Sequence, residues 1–147
     1  MTDRGISTPL GYVFTLAVAT ALITGLLVAG GGFVSDTRQQ VIRQELHVIG
    51  QHLASNVEMA DRMVQAGGDV DAVALNQSFT QRVTGSNYRV DLVPGADPFV
   101  RLNSTSPDVS VEIDLENETA LGESSADGGD ISVVYDSANE ELVIQNG

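Results

Sequence analysis

A chain of 147 residues has room for about one small domain, and the complete absence of cysteine excludes disulfides, thiolate catalysis and cysteine-ligated metal. Its formal net charge is −13, and the seven basic side chains are all arginine and scattered, which argues against nucleic acid as a partner because phosphate binding needs a basic patch. Mean hydropathy is nonetheless slightly positive, so acidic and apolar residues must be segregated along the chain.

No charged residue occurs from Gly5 through Ser35, and Leu10 to Val34 is dominated by Leu, Val, Ala, Ile and Phe. A hydrocarbon core of ~30 Å needs about 20 apolar residues in a helix, so residues 6–34 are predicted to be a transmembrane helix in contact with membrane lipid. A secretory signal would have a shorter apolar core of roughly 7–15 residues and a cleavage site of small residues, which Ala29 to Gly32 could supply; removal of the whole segment is the alternative. Within the span, Ala17, Ala21, Gly25 and Ala29 recur every fourth residue. Such a small-residue face lets helix backbones approach closely in lipid and predicts a helix partner, although an Ala- and Gly-rich composition produces the same pattern. Gly30, Gly31 and Gly32 are a candidate hinge, each costing about 1 kcal/mol relative to alanine inside a helix.

Residues 35–66 read as an amphipathic helix. Ser35 or Asp36 could mark a local break, after which Ile42, Leu46, Ile49, Leu53, Val57, Ala60 and Val64 recur at spacings of three and four. Arg38, Arg43, Gln44, Gln51, Glu58 and Arg62 occupy the opposite face, and Gly67-Gly68-Asp69 is a stop signal.

Residues 69–147 change period. Tyr88–Leu92, Phe99–Leu102 and Val109–Leu115 alternate as half-buried strands, and Ile131–Tyr135 with Leu142–Ile144 reads as a hairpin. Pro94-Gly95, Ser106-Pro107-Asp108 and Asp136–Asn139 punctuate them. The segment 70–84 fits either helix or strand, with a strand and a short turn preferred, and Ala120–Asp130 reads as a long exposed loop. The expected fold class is therefore α+β: a long N-terminal helix packed on a small antiparallel β-rich domain, which needs the helix stripe to complete its core.

Chemistry-bearing residues are sparse. His47 and His52 lack the spacing that sets two imidazoles on one helix face, and Asp69/Asp71 and Asp127/Asp130 lack the ligand spacing of a calcium loop. No nucleophile elbow or phosphate-binding glycine loop occurs, so no catalytic residue, metal ligand or cofactor is expected. Asn76, Asn103 and Asn117 each open an Asn-x-Ser/Thr triplet and are candidate N-glycosylation sites.

Lysine-free, acidic composition resembles that of haloarchaeal proteins; dense carboxylates stay hydrated in molar salt, where the Debye length falls to about 3 Å. The opening Arg4-Gly5-Ile6-Ser7-Thr8-Pro9-Leu10-Gly11, running directly into the apolar helix, resembles the N-terminus of archaeal type IV pilin-like proteins. The resemblance implies a leader of residues 1–5, cleaved between Gly5 and Ile6 by a prepilin peptidase. It departs from the pattern in two places: Thr8 separates Ser7 from Pro9, and Leu10 stands where bacterial pilins carry glutamate. Val83–Val90, a glycine turn entering a tyrosine-bearing strand, resembles the same group.

Function follows from anchoring and resemblance together. The expected protein is a non-enzymatic, pilin-like, single-pass membrane protein, a minor subunit of a pilus-like filament or its assembly platform, with other pilin-like subunits as partners. The alternative is an anchored extracellular binding or adhesion domain that never assembles. Arg4 favours a cytoplasmic start, Arg38 and Arg43 offset it in the positive-inside count, and the sequons and leader place the C-terminal domain outside.

Overall fold

The computed structural model describes residues 7–67 and 72–147. The fold is α+β, with one long helix followed by nine strands among the described residues. Helix α1 runs Ser7–Gly67. Proline is tolerated in its first turn, where the missing N–H has no intrahelical partner, and glycine closes it. The backbone is helical through Gly30–Gly32 and through Ser35 and Asp36, so the anticipated break at 35–36 is absent; neither residue removes a backbone donor, and Thr37 places its hydroxyl on the Phe33 carbonyl at 2.8 Å without interrupting the helix.

The chain divides into two compact units, residues 1–38 and 39–147. In the first, every described side chain from Thr8 to Arg38 is exposed, including Tyr12, Phe14, Leu26 and Phe33.

The second unit holds the rest of the helix and all the strands: β1 Ala74–Ser78, β2 Arg82–Val83, β3 Ser86–Val93, β4 Phe99–Thr105, β5 Asp108–Asp114, β6 Ala120–Leu121, β7 Ser124–Asp127, β8 Asp130–Asp136 and β9 Glu141–Asn146. One sheet has the order β1-β8-β9-β6, antiparallel except for the β6/β9 pair; the other has the order β2-β3-β4-β5, with β7 also paired to β3. The expected β8–β9 hairpin is present, and β2–β3 and β4–β5 form two more. Between β2 and β3, Thr84 and Gly85 both have positive φ, 48° and 79°. That is the two-residue turn whose twist suits a hairpin. Asp136 pairs with Glu141 at the mouth of the β8–β9 hairpin, and Thr105 with Asp108 around Pro107.

Alternation sorts the side chains. Tyr88, Val90 and Leu92 on β3, Val100 and Leu102 on β4, and Val109 and Val111 on β5 turn inward, as do Ile131 and Val133 on β8 and Leu142 and Ile144 on β9. The helical stripe completes this core: Ile42, Leu46, Leu53, Val57 and Ala60 are buried, with Ile49 and Val64 packed at its margin. Close approach is set by Gly50, where an added Cβ would lie 2.7 Å from Ile113 Cγ1 and 2.8 Å from Leu102 Cδ1.

The segment read as an exposed loop, 120–130, is instead structural. β7 ladders onto β3, while the Ser124 hydroxyl accepts from the Ile144 amide at 2.9 Å and the Asn146 side-chain amide donates to the Asp127 carbonyl at 3.0 Å. Leu121 and Ala126 are buried. These residues therefore stitch the two sheets together. The ambiguous 70–84 segment resolves as a strand, β1, followed by a turn into β2; residues 70 and 71 lie outside the described ones.

Candidate functional site

The most distinctive surface is the apolar part of α1. Leu10, Tyr12, Val13, Phe14, Leu16, Leu22, Ile23, Leu26, Leu27 and Val28 are all solvent-exposed, far more contiguous apolar surface than a water-facing helix carries. No described residue from Thr8 to Val34 is buried. Among the described residues, one helix is thus long and apolar enough to cross a membrane.

Three threonine hydroxyls in this stretch are satisfied by the helix itself. Thr15, Thr20 and Thr24 donate their hydroxyls to the carbonyls of Gly11, Leu16 and Thr20 at 2.8–2.9 Å. A hydroxyl in hydrocarbon must find such a partner, since water is not there to supply one.

Of the residues singled out from sequence, Ala17, Ala21, Gly25 and Ala29 are helical and exposed, and a Cβ added at Gly25 meets nothing within 4 Å. Gly30, Gly31 and Gly32 likewise have open space beside them, so no neighbour among the described residues requires glycine there. Arg4, Gly5 and Ile6, with Asp69 and Asp71, lie outside the described residues. His47 and His52 are exposed on the helix, and Gln51 lies 3.1 Å from the His47 ring. Asp127 meets Arg89 at 3.3 Å and Asp130 accepts from the Ser78 hydroxyl at 2.5 Å, so the two carboxylates face different partners. Asn76 lies exposed on β1, Asn103 half-buried on β4, and Asn117 half-buried in the connection between β5 and β6.

One residue escaped the sequence reading. Asp61, on the helix face, is 6 % exposed. Its Oδ1 accepts from the Thr119 amide at 2.7 Å, and its Oδ2 from the Glu118 amide at 3.2 Å. Burial pushes this carboxyl upward, but the Thr119 hydroxyl, the two amides and the Gln65 side chain outweigh it and hold the pKa below the ordinary carboxylate value. A groove of about 600 Å³ opens beside it, lined by Glu58, Arg62, Glu116 and Asn117 among others. Both oxygens of Asp61 accept from backbone donors, which makes it a clamp between helix and loop.

Residues 1–146 match the family model for DUF7266, described as a family of unknown function. The chain belongs to the DUF7266 family. No curated protein and no solved structure matches this DUF7266 chain.

Proposed function

We propose that this DUF7266 protein is a pilin-like, single-pass membrane protein that displays its β domain on the outer cell surface and associates with related subunits through the apolar part of α1. The observation that carries the reading is a single helix, Ser7–Gly67, whose first part is wholly exposed and apolar while its second part is built into the core of the β domain. One element therefore serves as both anchor and structural spine. The Arg4-Gly5-Ile6 pattern, which resembles a prepilin leader, supports the reading: cleavage after Gly5 would leave the apolar segment in the mature protein.

Assembly would use the face of Ala17, Ala21, Gly25 and Ala29, because helices in lipid associate by close packing and gain no net hydrophobic drive from it. The acidic, lysine-free β domain suits a surface bathed in concentrated salt.

The test is crosslinking in native membranes. Gly25→Leu keeps the segment apolar and inserted but places a bulky side chain where a neighbouring backbone would approach. Its crosslinked species should fall several-fold relative to the parent and to a Leu22→Ile control, with membrane residence unchanged. Equal crosslinking in all three would remove that face from the interface and favour a solitary anchored domain.

A further inference from the structure

We propose that Asn76 is the N-glycosylated residue of the folded chain, and that the sequons at Asn103 and Asn117 remain unmodified; the inference rests on the β domain facing outward. The transfer joins Asn76 Nδ2 to the anomeric carbon of a sugar supplied as a lipid-phosphate-linked oligosaccharide. The bond from that carbon to the phosphate oxygen breaks, the phosphate leaves with the electron pair, and Nδ2 gives up one proton. Three things are then needed: a reachable Nδ2, a reachable hydroxyl two residues on, and an extended backbone that a transferring enzyme can grip.

Asn76 meets all three. It is exposed in the middle of β1, the terminal strand of its sheet, whose ladder partner is β8. Its Oδ1 accepts from the Ser132 hydroxyl at 2.6 Å, which pins the oxygen inward and leaves Nδ2 as the outward end of the amide. Ser78 shares the same strand face and is exposed; its hydroxyl bonds to Asp130, itself exposed, and water can replace that bond at little net cost.

The other two sequons lack these features. Asn103 sits in β4 between two strands, opposite Arg89 on one side and Ser110 on the other, and its Nδ2 donates to Asp91 at 3.2 Å. At Asn117, Nδ2 donates to the Thr119 carbonyl at 2.6 Å and Oδ1 is buried, while the Thr119 hydroxyl is held by Asp61. Freeing that hydroxyl would strip a buried carboxylate of a partner.

Edge protection points the same way. The long terminal strand of the other sheet, β5, carries Asp108, Glu112 and Asp114, charges that discourage strand addition. β1, Ala-Leu-Asn-Gln-Ser, has neither charge nor proline. A glycan at its centre would block edge-to-edge pairing on this otherwise bare strand.

Glycopeptide mass spectrometry on the protein from native membranes tests this, because trypsin separates the sites: Met63–Arg82 contains Asn76 alone, and Leu102–Gly147 contains the other two. We expect a glycan mass on the first peptide only, lost in Asn76→Gln and Ser78→Ala and retained in Ser78→Thr. Location is read in parallel by labelling a Ser137→Cys variant, in an otherwise cysteine-free chain, with a membrane-impermeant maleimide on intact cells. Labelling together with a bare Met63–Arg82 peptide overturns the Asn76 inference and leaves the outward reading standing. No labelling before lysis, with a bare peptide, overturns both. A glycan on Leu102–Gly147 overturns the burial argument.

Discussion

Among the described residues, Asp61 is the one charged side chain counted as buried, and it joins the helix to the connection that leads into β6. Removing its carboxylate leaves the Glu118 and Thr119 amides unsatisfied, a cost of about 1–3 kcal/mol for a buried donor. Asp61→Ala is therefore expected to lower stability by that amount at neutral pH. The pH dependence has a definite sign. The folded pKa lies below the ordinary 3.8, so the contribution is complete above that value and is lost as pH falls through the lowered one. Thermal melts of the detergent-solubilised chain should show the gap between parent and variant narrowing under acid conditions. A gap independent of pH would mean that Asp61 acts by packing alone.

At the level of elements, the helix–sheet contact depends on Gly50. Alanine there would gain about 1 kcal/mol of helix propensity, but overpacking against Ile113 and Leu102 costs roughly 1–3 kcal/mol. A net loss is expected for Gly50→Ala and a larger one for Gly50→Leu, whereas Gly31→Ala, with open space beside it, should lose nothing. Chemical denaturation of the three variants checks the ordering. The stripe from Ile42 to Val64 and the strands around Tyr88, Val100, Val111 and Val133 were legible in sequence because each repeats its apolar period several times. β6 and β7 were not. They span two and four residues, carry Ser, Asp and Ala, and bury only Leu121 and Ala126, so their signal is long-range pairing with β9 and β3. Gly50 and Asp61 were hidden for the same reason: a glycine in a stripe and an acid beside it gain meaning only from the residues opposite. The candidate site divides likewise. Apolar length announced the exposed helix, while the ranking of the three sequons needed Ser132, Asp91 and Asp61, which are distant in sequence.

Across the whole chain, charge and hydrophobicity are partitioned between the two parts. Fifteen of the twenty acidic residues lie from Asp69 onward, against three arginines, while Gly5 to Ser35 carries no charge at all. Two of those arginines form exposed ion pairs, Arg89 with Asp127 and Arg101 with Glu112 at 2.9 Å, which contribute little to stability individually. The β domain is held together chiefly by its apolar core, and the exposed apolar helix needs a lipid environment or helix partners to cover it. A permanent anchor and a pilin-like subunit share that requirement and differ in how the amino terminus is finished. The most direct measurement is the intact mass and N-terminal peptide of the protein extracted from its native membrane. The pilin-like account predicts a chain beginning at Ile6, with the apolar helix retained. Recovery solely of chains beginning at Met1 or Thr2 would contradict it.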